Sequence, residues 1–161
     1  MKTRLIIVII LLLTSSCGFQ LRGAGGFQMD RIFVDAIAAN NTAAEIKRII
    51  TEEGLTISEN PKQAQVVVHL RDETIDRRVL SISAVSGKLE EVELHLHVEL
   101  EITHPNGEKI QESQRISLVR DYSFDETAVL AVATEEETLV AEMFREIVAQ
   151  IIRRLQAVNL D

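Results

Sequence analysis

The most regular pattern in the chain is a strict alternation of apolar and polar positions over residues 91–103. The apolar positions are Val92, Leu94, Leu96, Val98, Leu100 and Ile102, and the polar positions are Glu91, Glu93, His95, His97, Glu99, Glu101 and Thr103. A period of two predicts a β-strand with one buried face and one solvated face. Pro105, Asn106 and Gly107 follow. Because Asn-Gly takes the positive φ of tight turns, they predict a hairpin with a return strand over residues 108–122.

Two further segments have the 3.6-residue period of an amphipathic helix. The longer one is C-terminal, and its apolar stripe consists of Leu139, Val140, Met143, Phe144, Ile147, Val148, Ile151, Ile152 and Leu155. This helix either runs unbroken from about Thr127 or is kinked near Thr134, where a capping-box pattern begins. The shorter helix is predicted over residues 43–53, because Thr42 and Glu45 have the same capping-box spacing at its start.

Two apolar runs, residues 32–37 and residues 66–75, are predicted to be strands. The element order is then strand, helix, three strands and helix. This order predicts an α+β fold, a two-layer sandwich in which a mostly antiparallel four-stranded sheet has two helices packed on one face. The other face of the sheet is polar and would have no cover of its own.

The N-terminus has the pattern of a secretory signal. Lys2 and Arg4 precede an apolar run over residues 5–13, which is shorter than the about 20 residues that span a bilayer and fits the apolar part of a signal peptide. Cys17 is the chain's only cysteine and follows this leader, as in the lipobox of bacterial lipoproteins. Gly18, rather than an aspartate, follows it, and by analogy with lipoprotein sorting this favours the outer membrane.

The domain organisation follows from this reading. We expect a lipoprotein signal peptide over residues 1–16, a lipidated, glycine-rich tether over residues 17–30 and one α+β domain over residues 31–161. The alternative is a secreted protein in which Cys17 is a free thiol.

Composition narrows the function classes. The net charge is −8, so nucleic acid is a poor partner because nothing overall attracts phosphate. A single cysteine leaves no pair for a disulfide or a thiolate metal site. The chain has no G-x-S-x-G, no H-E-x-x-H and no glycine-rich phosphate loop. We therefore expect no enzymatic activity, no metal and no cofactor other than a covalent lipid on Cys17.

Two sets of side chains remain as candidate sites. His95 and His97 share a strand face with glutamates, which could ligate zinc, although a solvated strand face has the same composition. Arg71, Arg77, Arg78 and Lys88 would lie near one end of the sheet, and as a group they form the candidate anion contact; the alternative is scattered solvated charge.

Two stretches resemble one protein family. CGFQLRG, residues 17–23, and RDYSFDETAVLAVATEEETLVAEMFREIVAQIIRRL, residues 120–155, are similar to the corresponding parts of the LPS-assembly lipoprotein LptE family. The resemblance implies a lipid-anchored domain in the outer membrane, facing the periplasm. It also implies that this domain plugs the lumen of the LptD β-barrel, helps to assemble it and takes part in inserting lipopolysaccharide into the outer leaflet.

The resemblance also implies lipopolysaccharide contacts near the turn between the middle strands, where Arg77, Arg78 and Lys88 are the candidates. The alternative function is a stand-alone periplasmic ligand-binding or transport-accessory lipoprotein. An apolar cavity between helices and sheet would favour that alternative, whereas a solid core with a large polar contact face would favour the plug.

Overall fold

The structure, a computed structural model, describes residues 26–160. Its elements in chain order are β1 (Arg31–Ile37), α1 (Asn40–Glu52), β2 (Thr56–Ile57), a 3-10 turn (Pro61–Gln63), β3 (Val66–Ile82), β4 (Leu89–Thr103), β5 (Lys109–Ser123), a second 3-10 turn (Glu126–Ala128) and α2 (Val129–Gln156). The predicted signal peptide, the lipidation site at Cys17 and the first of the two resembling stretches lie outside the described residues.

The strands form one sheet in the order β2-β1-β3-β4-β5. β1 is parallel to β2 and β3, whereas β3, β4 and β5 are antiparallel neighbours. The α+β prediction with a mostly antiparallel sheet is confirmed, and the sheet has five strands instead of four. The extra strand is β2, whose two residues are too few to produce a periodic sequence pattern.

β4 lies between β3 and β5 in the sheet and shows the predicted alternation. Its even-numbered residues from Val92 to Ile102 are at most 1% exposed, and its odd-numbered neighbours over the same span are half-buried. Both helices pack against the even-numbered face. At about 25 cal/mol per Å² of apolar surface, this burial is the main stabilising contribution to the fold.

α2 runs through residues 129–156 as a single helix, with the second 3-10 turn before it. The unbroken reading of the sequence is therefore correct, apart from its starting residue. Thr134 does not cap a helix here, because its hydroxyl donates to the Leu130 carbonyl at 3.0 Å from inside the helix. The inner stripe of α2 is fully buried and includes Met143, Ile147 and Ile151.

α1 begins at Asn40, before the predicted start, and Thr42 is not its N-cap residue. Glu73 of β3 takes that role instead, since its carboxylate accepts from the Thr42 amide at 2.7 Å and from Asn41 Nδ2 at 2.8 Å. A carboxylate at a helix N-terminus satisfies free amides and is favoured by the helix dipole. Glu45, the predicted partner of Thr42, bonds Arg48 instead.

The folded domain includes residues before β1. Met29 is 3% exposed within the core, and Phe27 packs against it. Both residues fall in the segment that the sequence analysis assigned to the tether, so packing against the domain begins before residue 31. None of the helices in the described part of the chain combines the length and the apolarity needed to cross a membrane.

β3 is longer than predicted and changes character along its length. Its first residues, Val66, Val68 and Leu70, are fully buried, whereas every residue from Ile75 to Leu80 is exposed. An extra residue lies between Arg71 and Thr74, where Asp72 has a φ of 51°. Such a bulge shifts the alternation of side chains by one position.

Candidate functional site

The sheet face opposite the helices is lined mostly by polar and charged side chains, and we call it the open face. Its side chains come from β1, β3, β4 and β5, and they are identified by their cross-strand register with the odd-numbered residues of β4. The residues are Asp35, His69, Arg71, Thr74, Asp76, Arg78, Glu93, His95, His97, Glu99, Glu101, Arg115, Ser117, Val119 and Asp121.

A hydrogen-bond network joins three strands at one end of the open face. Arg71 donates to the Asp35 carboxylate at 2.5 Å and to the Asp35 carbonyl at 2.8 Å. His69 bridges the Asp35 carboxylate, at 3.0 Å, and the Thr103 hydroxyl, at 3.1 Å. The hydrogen bond from Arg71 is the main reason that the pKa of Asp35 lies below its ordinary value. Because Arg71 is paired with Asp35, its charge is already balanced, and it is a weaker member of the candidate anion contact than an unpaired arginine would be.

Charged pairs continue along the open face. Arg115 Nη2 lies 3.2 Å from the Glu99 carboxylate, and Lys109 Nζ lies 3.1 Å from that of Glu101. His95 contacts its strand neighbour Glu93. The face therefore offers positive and negative charges, together with hydrogen-bond donors and acceptors, to a polar partner surface.

His95 and His97 have different neighbours on the open face. His95 bonds Glu93, while His97 lies between Thr74 and Ser117 in the cross-strand register. Within residues 26–160, no group of three His, Cys, Asp or Glu side chains could hold a metal ion.

The three candidate lipopolysaccharide contacts do not share one surface. Arg78 lies on the open face opposite Glu93, whereas Arg77 lies on the helix face, because neighbouring residues of a strand point to opposite sides. Lys88 lies in the turn between β3 and β4, where its amide contacts the Ser86 hydroxyl. The sequence alone predicts that Arg77 and Arg78 lie on opposite faces of the sheet, since side chains alternate with a period of two in any strand.

Arg77 takes part in a cluster at the start of α2. Its guanidinium carbon lies 5.9 Å from the centre of the Phe124 ring, and its Nε lies 3.6 Å from the Glu136 carboxylate. The Tyr122 hydroxyl donates to the same carboxylate. Burial, followed by this contact with Glu136, raises the pKa of Tyr122. The cluster fastens α2 to the end of the sheet, so Arg77 has a structural role in addition to any ligand contact.

A groove of about 810 Å³ lies between α1 and α2 and was not predicted. Its lining includes Val140, Phe144 and Val148 of α2, together with Asn41 and Glu45 of α1. The three apolar residues are four apart, so they form a line along α2, and Val148 also belongs to the buried core. That line is the sequence signal for the groove, but its residues also belong to the apolar stripe that predicts the core, so the sequence does not distinguish the two.

The comparison with solved structures shows a fold that is found in bacterial lipoproteins. A solution structure of an uncharacterized lipoprotein B from Nitrosomonas europaea matches with a TM-score of 0.76 and 27% identity, covering 87% of this chain and 91% of that one. A minor lipoprotein from Acinetobacter baumannii matches with a TM-score of 0.64 and 25% identity, covering 81% and 93%. The rare lipoprotein B from Shewanella oneidensis matches with a TM-score of 0.67, 22% identity and coverage of 79% and 94%.

The family itself is shown by sequence. The profile of the LptE family, described as Lipopolysaccharide-assembly, matches residues 29–155. This chain therefore belongs to the LptE family, as the resemblance implied. No curated protein matches the chain.

Proposed function

We propose that this chain is an outer-membrane lipoprotein, anchored through lipid on Cys17, that plugs the LptD β-barrel and helps to assemble it. In that complex it takes part, without enzymatic activity, in the insertion of lipopolysaccharide into the outer leaflet. Membership of the LptE family supports the assignment to lipopolysaccharide assembly. The partner, the anchor and the location are the parts that we propose.

The open face is the observation that carries the barrel partnership. It spans four strands, and its β4 glutamates and histidines remain part-exposed, for example 32% for the Glu99 side chain and 25% for that of His95. The helices cover only the opposite face. Because the lumen of a membrane β-barrel is polar, a polar sheet face of this size is the surface that a plug would present to it.

Lipopolysaccharide contact is proposed for Arg78 and Lys88, with Arg77 as the third candidate. Arg78 is exposed on the open face, and Lys88 extends the same end of the sheet through the β3–β4 turn. Phosphate groups prefer arginine and lysine donors. Lipopolysaccharide affinity should fall for Arg78→Glu and for Lys88→Glu, whereas Arg48→Glu, on α1, should bind as the unsubstituted chain does; equal losses at all three positions would contradict the assignment.

The partnership is tested by affinity purification of the full-length chain from detergent-solubilised outer membranes. We expect LptD to co-purify at a one-to-one ratio. Recovery of the lipoprotein alone, under conditions where other barrel complexes survive, would overturn the proposal.

A matched pair of substitutions locates the contact. Val119 is 43% exposed on the open face, and Leu130 is 86% exposed on α2. Val119→Arg should reduce the co-purified LptD at least about tenfold, which corresponds to about 1.4 kcal/mol. Leu130→Arg, an equally drastic change away from the open face, should leave the yield unchanged.

The groove between α1 and α2 favours the second candidate function, a stand-alone ligand-binding lipoprotein. Its apolar residues Val140 and Phe144 are of the kind that line small-molecule sites. The groove is open and lies between the helices, and the sheet–helix interface beneath it is packed with buried side chains. Phe144→Glu separates the two functions, because it should leave LptD recovery unchanged if the open face is the contact.

A further inference from the structure

The second half of β3 is an exposed strand segment with apolar side chains. We call residues 74–80 the distal segment. Its apolar residues Ile75, Val79 and Leu80 are 42%, 60% and 52% exposed, although Ile75 and Val79 belong to a regular ladder with the buried strand β4. Exposed apolar side chains in such a row are typical of interaction surfaces.

One edge of the distal segment has no strand beside it. β1 ends at Ile37, opposite Arg71, and the last backbone contact on that side is the Glu73 amide donating to the Ala38 carbonyl at 2.8 Å. No strand within residues 26–160 pairs with β3 beyond this point on that side. Alternate backbone amides and carbonyls of the distal segment therefore face outward, which makes it a template for another strand.

The other free edge of the sheet is protected. β5 begins with a charged and polar run, KIQESQR, in which Lys109 bonds both Glu101 and Glu112. Charged side chains of this kind are a common way to prevent edge-to-edge pairing. Val119 is the one large apolar residue of β5 among the exposed ones, whereas the distal segment exposes three.

We propose that the distal segment pairs antiparallel with the same segment of a second copy of this chain, about a two-fold axis that passes between the two copies of Arg77; we call this an axis at Arg77. The contact is isologous, so each pairing occurs twice. It requires no LptD, and it uses Asp76 and Arg78, which also lie on the open face, so the dimer and the proposed barrel complex are mutually exclusive states of the chain.

The side chains select this register. In a symmetric antiparallel pair the two-fold axis is perpendicular to the sheet. Facing residues must then lie on the same side of the sheet, and the axis must pass between the two copies of one residue. An axis at Arg77 places Asp76 opposite Arg78 of the second copy and Ile75 opposite Val79. An axis at Asp76 would instead face Ile75 with Arg77, and an axis at Arg78 would face Arg77 with Val79.

The backbone selects the same register. Thr74 is the first residue beyond the Ala38 contact, and Leu80 is the extra residue of a bulge between Val79 and Ser81. An axis at Arg77 pairs Thr74 with Leu80, so the ladder occupies the free edge and ends at the bulge. Regular pairing thus stops one step before the second strand would reach Ala38.

The two Arg77 side chains would face each other at the axis. Each one already has a carboxylate beside it, since its Nε lies 3.6 Å from Glu136, and each one packs on the Phe124 ring. The like charges are therefore partly balanced within each copy. The Asp76–Arg78 pairs and the Ile75–Val79 pairs, two of each, favour association.

Disulfide trapping of the full-length chain, produced in excess over LptD, in isolated membranes tests the proposal, because the excess copies are not enclosed by a barrel. Directly opposed residues of an antiparallel pair have Cα atoms about 4.5–5.5 Å apart, which a disulfide can join. Arg77→Cys should form a disulfide-linked dimer on mild oxidation. Leu130→Cys is the control, because it is 86% exposed on a helix and should give at least about tenfold less dimer. The chain without an introduced cysteine controls for Cys17.

Exchanging the charges of Asp76 and Arg78 distinguishes loss of the pairing from loss of folding caused by a single substitution. Asp76→Arg in the Arg77→Cys background should abolish the dimer, because it sets arginine against Arg78 of the second copy. Adding Arg78→Asp should restore the dimer, since the exchanged pair is again complementary. Equal trapping in all three backgrounds, no trapping in any, or an Arg77→Cys adduct with a different protein in place of the dimer would overturn the proposal.

Discussion

The two halves of β3 differ in almost every respect, although they are one strand. The first half lies between β1 and β4, is covered by the helices and contains Val66, Val68 and Leu70 at 0% exposure. The second half has a partner on one side only, and its apolar residues are exposed. The change occurs at the bulge around Asp72, where β1 ends and α1 begins. Stability is therefore concentrated in the first half, and surface for partners in the second.

The largest expected effect compares one substitution in the two regions. Leu70→Ala, at a position of the first half with 0% exposure, should lower the free energy of unfolding by about 2–5 kcal/mol through lost burial and a cavity. Leu80→Ala, at 52% exposure, should change it by less than about 0.5 kcal/mol. Urea unfolding of both variants measures the difference, and equal losses would remove the distinction between the halves.

The junction between the halves gives the next effect. Glu73→Ala removes the acceptor for the Thr42 amide and for Asn41, so the free energy of unfolding should fall by about 1–2 kcal/mol, as for loss of an N-cap. Glu52→Ala, which removes only an exposed ion pair with Arg48, should cost less than about 0.5 kcal/mol. If the two variants unfold alike, Glu73 does not cap α1.

Asp35, beside the first half of β3, makes the free energy of unfolding depend on pH. Its pKa in the folded state is lowered, chiefly by the hydrogen bond from Arg71. A lowered pKa contributes stability above the unfolded-state pKa of about 3.9, and that contribution is lost as the pH falls through the folded-state pKa. Asp35→Asn should therefore be less stable than the unsubstituted chain at pH 7, by no more than about 1 kcal/mol for a part-exposed pair.

The difference in free energy of unfolding between Asp35→Asn and the unsubstituted chain should disappear as the pH falls below the unfolded-state pKa and through the lower folded-state pKa of Asp35. Urea midpoints of the two proteins at neutral and acid pH measure it. A gap that is constant across this range would show that the Asp35 charge does not stabilise the network.

The smallest effect concerns the beginning of α2, beside the second half of β3. Thr134→Ala removes only a bond from its hydroxyl to the Leu130 carbonyl inside the helix, and alanine has the higher helix propensity. The variant should be more stable by about 0.5 kcal/mol, measured by thermal unfolding. A loss of about 1 kcal/mol would instead indicate that Thr134 caps a helix.

The sequence predicted the elements whose signal is local. The alternation in β4 and the stripe of α2 are long enough to determine both the element type and the buried face. The start of α1 was missed because its cap, Glu73, lies 31 residues from Thr42 and reaches it only through the tertiary fold.

The candidate site was harder to predict for a similar reason. The even-numbered residues of β3 face the helices before the bulge at Asp72, and the odd-numbered ones do so after it. A reader of the sequence cannot locate that shift, because the bulge depends on how β3 meets α1 and β4. Arg77 and Arg78 could be assigned to opposite faces from the period of two, but not to a particular face.

The parallel position of β1 has a consequence for the order of folding. β3, β4 and β5 are joined by short turns, so this three-stranded meander can form from contacts that are close in the chain. β1 must wait for β3, since Asp35 and His69 are 34 residues apart, and it closes a loop that contains α1. Because closing long loops slows folding, we expect the meander to form first and β1 to dock last. Folding would then begin in β3, β4 and β5, although the more deeply buried end of β3 is the one that lies beside β1.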